Sequence, residues 1–297
     1  MSTVVETLTA LLRARAPAAG QAWLAAACDE ARAGGASAAA AVAAAFPAAS
    51  RQLGRGPLGA ALDAALPAAL GGAGASVPLG AWRVDDAARA LLLLALGAGD
   101  AAAARLAAAR ELYFSGDARE RTGALRALPL LGDGPDALPA VLDAVRANQG
   151  EIFEAAVCDN AYAATHLPPL EFRKAALKCL FVGLPLARVQ RLRERADADL
   201  CLGLYDYVTE REAASRAVPP EVWPLAALVP PPGLAAKLCG YLEHPDPEHR
   251  RAAATALGYL VADGDARVTP FLTDRAEREP DARVRVALAT AVTAVAR

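Results

Sequence analysis

Apolar positions recur at helical spacing through most of this chain. The spacing predicts a helix from Asp85 to about Leu96 and another from Asp100 to about Tyr113. Residues 1–53 read as two or three short helices, interrupted at Pro17, at Gly34-Gly35 and at Pro47. Between Gly54 and Gly80 the glycines, with Pro57, Pro67 and Pro78, keep any helix short, and 71–80 is the best candidate for a long surface loop. From Leu138 the apolar stripe is Leu138, Val141, Leu142, Val145, Ile152, Phe153, Ala156 and Val157. Asn148 and Gln149 fall where that stripe should continue, and Asn160 extends it four residues past Ala156. Gly150 can instead end one helix and open another; the pattern leaves both arrangements open.

Pro168-Pro169 separate that region from a helix running from Leu170 to about Val182. This helix is apolar around most of its circumference, with a polar sector of Glu171, Lys174 and Lys178, so it is predicted to be a central one. The next helix, about Ala196 to Arg216, carries Leu200, Leu204, Tyr207 and Val208 on its stripe, with Arg211 in the following slot and Asp206 beside it. No run of alternating β-branched or aromatic residues bounded by turn signals argues for a strand.

A phrase also recurs. HPDPEHRRAAATAL (244–257) aligns with EPDARVRVALATAV (279–292), placing Asp246 on Asp281 at an offset of 35 and Arg250 on Arg285. A fainter copy, SGDARERTGALRAL (115–128), puts Asp117 and Arg121 in the same places. The aspartate suits a helix N-cap, and the arginine four residues on could pair with it. This pattern resembles the short HEAT-type repeats, whose helix pairs stack to share one core. The fold expected is all-α, a right-handed α-helical solenoid of HEAT-like helix pairs.

Composition agrees. Apolar residues are 55% of the chain but aromatics only 5%, so alanine carries much of the count and favours closely approaching helices. With 31 basic and 33 acidic residues, a net charge of −2 gives no footprint for nucleic acid. Cys28, Cys158, Cys179, Cys201 and Cys239 form no CxxC pair and read as buried thiols of a cytoplasmic protein. The amino terminus has an acid early and arginines late, the reverse of a secretory signal. The apolar run Leu91–Leu96 is far short of the roughly 20 residues that cross a bilayer, so no membrane insertion is expected.

The side chains suited to a site concentrate in 146–223. Asn148, Asn160, Lys178 and Arg211 lie on or beside core-facing stripes, so they either brace neighbouring helices or line a polar pocket. Arginine and lysine together would favour a phosphate or carboxylate ligand. The stretch EHPDPEH (243–249) gathers acids and histidines, but it coincides with a repeat turn in which Asp246 caps and Pro247 opens the helix, so no metal is expected there. No Walker A, GxSxG, HExxH or dinucleotide fingerprint occurs, and no cofactor is expected.

The phrases RANQGEIFEAAVCDNAYA (146–163), FRKAALKCLFVGLPLARVQRLRERADADL (172–200) and YDYVTEREAASRAVPPEVWPL (205–225) resemble the EboA-domain family. RGPLG (55–59), WRVDDAARALLLLAL (82–96) and ALRALPLL (124–131) fit the same family. Two stretches depart from its pattern: PPLEFRKAALK lacks a tryptophan-asparagine phrase, and NAYA (160–163) lacks two prolines. The resemblance implies an EboA-like helical domain over 1–232 and HEAT-like repeats over 233–297. It also implies service in a bacterial gene cluster, linked with export or processing of a secondary-metabolite precursor, that encodes a prenyltransferase-like membrane protein and sugar- or cyclitol-type enzymes. The expected function is a non-catalytic scaffold or small-metabolite-binding protein. The alternative is an enzyme of the same pathway acting on a phosphorylated or carboxylated molecule. Candidate ligand-binding residues are Asn148, Asn160, Tyr162, Lys178, Arg195, Asp206 and Arg211; no catalytic residue is assigned. Expected partners are other pathway proteins and a small anionic metabolite.

Overall fold

A computed structural model describes residues 2–34, 36–59, 77–97 and 102–294. The described residues form sixteen α-helices: α1 Ser2–Arg15, α2 Ala18–Arg32, α3 Ala36–Leu53, α4 Val84–Leu94, α5 Ala102–Ser115, α6 Ala118–Leu131, α7 Leu138–Ala144, α8 Gly150–Val157, α9 Ala161–His166, α10 Pro169–Val182, α11 Ala198–Ala213, α12 Val222–Ala226, α13 Leu234–Tyr241, α14 Pro247–Ala262, α15 Thr269–Arg278 and α16 Ala282–Val292. Only two isolated bridges, Pro57 with Arg83 and Cys158 with Val189, interrupt this all-α helical-repeat fold among the described residues. Most of the proposed 71–80 loop, and Asp100, lie outside them.

The chain makes two compact units, residues 1–175 with 182–191 and residues 176–181 with 192–297. In the first unit the central element is α4. All eleven of its residues are buried, including Asp85, Asp86 and Arg89. The sequence reading gave that place to α10, which the structure corrects: Leu170, Phe181 and Val182 are half or more exposed, and the buried positions are Phe172, Ala175, Ala176, Cys179 and Leu180. Apolar residues on most sides of a helix do not by themselves bury it, because ordinary protein surfaces carry much apolar area.

Pro47 is a second correction. It lies inside α3 rather than breaking it. The missing amide costs one helical bond, and the buried Phe46, Ala49 and Leu53 hold the helix in register across the gap. The open choice at Gly150 resolves as a break: α7 and α8 are separate, and Asn148 and Gln149 are exposed on the link between them.

The repeat logic holds in detail at its aspartates. Asp117, Asp246 and Asp281 each cap their helix, accepting from Arg119 and Glu120, from Glu248, and from Arg283 and Val284 amides respectively. The matching arginines do something else. Arg250 donates to the carbonyls of His244 and Pro245 (both 2.9 Å), Arg285 to those of Glu279 and Pro280 (3.0 and 2.8 Å), and Arg121 to Gly116 (3.1 Å). Each guanidinium thus satisfies carbonyls of the turn entering its helix. In the second unit α14 and α16 approach closely, with Gly258 so near Ala291 that an added Cβ would lie 3.1 Å from its Cα. None of the five cysteines forms a disulfide; four are buried and Cys239 is half-buried.

Candidate functional site

Of the candidate residues in the first unit, Asn160 stands at the turn between α8 and α9 and Tyr162 follows it on α9. Asp159 takes a left-handed conformation (φ 58°) there, a region that aspartate tolerates better than most residues. Its amide donates to the Arg188 carbonyl (2.8 Å), so this turn is tied to the 186–190 segment. The Arg188 guanidinium returns the contact, reaching Glu154 at 2.6 Å and Asp159 at 2.7 Å. Burial would lower the Arg188 pKa, but these two carboxylates outweigh it and raise it above the usual arginine value.

Asn160, buried at the N-cap of α9, has every polar atom engaged. Its Nδ2 donates to the carbonyls of Leu125 (3.1 Å) and Ala155 (2.9 Å), and its Oδ1 accepts from the Ala163 amide (3.1 Å). Tyr162 donates to the Gly134 carbonyl (2.7 Å) and accepts from the Ala137 amide (3.2 Å). Burial leads the causes that push its phenol up to about 12, so it is a neutral brace at ordinary pH. Trp82, Arg126, Glu154, Asp159, Asn160 and Arg188 line a narrow polar cleft here, whose interior space is only about 10 Å³. Of the seven candidate residues, only Asn160 lines it.

One wall of the cleft leads into a cluster that sequence reasoning missed. Arg126 pairs with Asp86 (2.5 Å), and Arg119 bridges Asp85 and Asp86 (2.9 and 3.3 Å). Arg89, 1% exposed, binds Asp85 (2.7 Å), Ser50 Oγ (3.0 Å) and the Phe46 carbonyl (3.2 Å). Burial alone would raise the Asp85 carboxyl, yet hydrogen bonds from Ser50, Arg89 and Arg119 hold it below the usual carboxylate range. Arg119 Nε is buried without a hydrogen-bond partner. Gly123 makes room for Arg89: a Cβ on it would come within 2.6 Å of Arg89 Cδ. The available signal was three charges on a helix whose every other side is apolar, with Arg119 and Arg126 two turns apart on α6.

Lys178, Arg195, Asp206 and Arg211 belong to the second unit. Lys178 is half-buried on α10, and that burial lowers its pKa. Arg195 is half-buried before α11, and Asp206 is exposed on it. Arg211 donates to the Ala217 carbonyl (2.8 Å) and lies 5.8 Å from the Tyr207 ring centroid. Asn148, expected to face inward, is exposed. Asn148, Asn160 and Tyr162 thus belong to the first unit, and Lys178, Arg195, Asp206 and Arg211 to the second.

In the second unit the 243–249 stretch builds an aromatic cluster around His249. Its Nδ1 accepts from Trp223 Nε1 (3.3 Å), and its ring lies 4.2 Å from that of His244. Burial, then the charge of His244, lowers the His249 pKa. Asp246 caps α14 with Pro247 at its first position. Among the described residues no group of three or more His, Cys, Asp or Glu side chains is placed to hold a metal ion, and no helix is long and apolar enough to cross a membrane.

Residues 4–227 match the family model described as metabolite traffic protein EboA, and residues 211–293 match the model for HEAT repeats. Comparison with curated proteins and with solved structures gives no match.

Proposed function

Because the chain belongs to the EboA family of metabolite traffic proteins, we propose that it is a non-catalytic helical-repeat protein that binds a small metabolite for an ebo-type secondary-metabolite biosynthesis or export pathway in the cytoplasm. In this reading residues 1–232 bind the metabolite and the HEAT-like repeats of 233–297 dock other proteins of the pathway. The carrying observation is that the two inward candidate side chains of the first unit, Asn160 and Tyr162, have backbone groups for partners. Asn160 and Tyr162 satisfy carbonyls and amides of the turns they hold, so neither is poised as an acid, base or nucleophile. Arg188 is likewise neutralised by Glu154 and Asp159.

The rival is an enzyme acting on a phosphorylated or carboxylated small molecule. One observation favours it: burial makes the Lys178 ammonium easier to deprotonate, as a general base requires. Native mass spectrometry of the protein after exposure to a small-molecule extract of the producing cells separates the two. A binder retains a compound chemically unchanged, equally in Lys178→Ala. Time-dependent conversion of a compound, abolished in Lys178→Ala, would overturn the non-catalytic reading.

A further inference from the structure

A second opening in the first unit lies outside the residues of 146–223. It lies where α1 and α2 meet α4, and its volume is about 430 Å³, inside the roughly 300–1,000 Å³ range of small-molecule sites. Leu12, Leu24 and Leu91 make it apolar, with the Cys28 thiol beside them. Burial leads the causes that push Cys28 up to about 11, so the thiol stays neutral and adds to the apolar wall rather than acting as a nucleophile.

The rim is different in kind. Gln21 fastens it by donating to the carbonyls of Ala16 (2.7 Å) and Arg13 (3.2 Å), which fixes the turn joining the two helices. Two cations stand on the lining. Arg32 is tied to Asp29 at 2.6 Å in an exposed pair, an interaction worth little and readily exchanged. The Arg13 guanidinium is exposed, lines the same opening, and has no ion-pair partner among the described residues. An apolar chamber with a free arginine at its edge suits one kind of molecule.

The geometry points to the α1–α2 chamber as a binding site for an amphipathic small molecule, its flat or branched apolar body against Leu12, Leu24 and Leu91 and its carboxylate, phosphate or sulfonate at Arg13. This assignment rests on the reading of the protein as a metabolite binder and gives that reading a place and a ligand class. Neighbouring charge selects the anion, and the volume is that of a small-molecule site.

The test uses two dyes of similar body and different charge, 1-anilinonaphthalene-8-sulfonate and the uncharged N-phenyl-1-naphthylamine, titrated into the full chain. Both should bind saturably at about one molecule per chain. Ala25→Trp, placed on the exposed lining of α2, should weaken both by about tenfold or more through overfilling. Ala22→Trp does the same independently, and thermal melts confirm that each variant folds. Arg13→Gln should weaken the sulfonate about three- to fivefold while leaving the neutral dye within about twofold. Unchanged dye affinity in both folded tryptophan variants overturns the site while leaving the metabolite-binding reading intact, since a ligand could then be retained elsewhere. Equal loss of both dyes in Arg13→Gln overturns the anionic class. If the native chain binds neither dye and runs as a dimer that Ala25→Trp converts to monomer, the chamber is an interface between copies and the proposal fails. Conversion of an extract compound, by contrast, defeats the non-catalytic reading without touching this site.

Discussion

The buried arginines of the two units solve one problem in two ways. In the first unit Arg89 is surrounded by Asp85, Ser50 and the Phe46 carbonyl, drawn from α3 and α4, while from α6 Arg119 reaches Asp85 and Asp86 and Arg126 reaches Asp86. In the second unit Arg250 grips Glu279 with two bonds (2.9 and 2.8 Å) and turns its remaining nitrogen to the carbonyls of its own entry turn. Arg275 shares the same Glu279, and Arg285 repeats the carbonyl contacts one repeat later. The first arrangement is a single closed cluster assembled over sequence separations of up to 43 residues. The second is a part that recurs, because much of what each arginine needs lies within six residues of it. Redundancy follows from repetition, so the two networks should fail differently.

Removing the central cation of the closed cluster gives the largest effect. Arg89→Ala leaves Asp85 short of its most buried partner and should cost about 3–5 kcal/mol in urea unfolding. Arg250→Ala should cost less, about 2–3 kcal/mol, because its side chain is 8% exposed against 1% for Arg89, so water can replace part of what Glu279 loses. If Arg250→Ala proves the more damaging of the two, the contrast between a closed and a redundant network is wrong.

Acid sharpens the comparison at an intermediate size. Glu279 is held down to about 2, burial opposing and hydrogen bonds from Arg250, the Asp281 amide and Arg275 prevailing. Its folded pKa lies below the unfolded value, so its stabilisation is fully present above about pH 4.5 and is lost as pH falls toward 2. His249 adds an earlier loss. Its folded pKa is also depressed, but it is a base, so the unfolded chain binds the proton first and stability declines once pH drops below 6.5. Thermal melts from pH 8 to 3 should show both declines, and His249→Gln should remove only the earlier one. The smallest effect is at a cap: Asp281→Ala should cost about 1 kcal/mol, measured by the same unfolding curves, and Asp246→Ala should match it if the repeats are equivalent.

What could be read from the chain follows the same division. The capping aspartates and the α11 stripe were legible because each depends on spacing within one helix. The role of Arg250 and Arg285 was half legible: their period was visible, but their carbonyl partners depend on how the turn folds back. Asn160 was singled out correctly as an inward amide, yet its partner Leu125 lies 35 residues away and no local pattern names it. Asn148 was misplaced because a helix break at Gly150 rotates it out of the stripe. The Asp85–Arg89 cluster went unread because its charges sit beside a run of leucines that dominates any apolar count. The α1–α2 chamber was illegible for a simpler reason: its lining is drawn from three helices, and no pattern within one of them names the others.

Gly123 turns one of these features into a constraint on history. A methyl at that position collides with Arg89, whereas shortening residue 89 first would vacate the notch and then permit growth at 123. Of the two orders in which a lineage could exchange this pair, only one avoids a collision between residues 123 and 89, so the glycine and the arginine constrain each other's replacement.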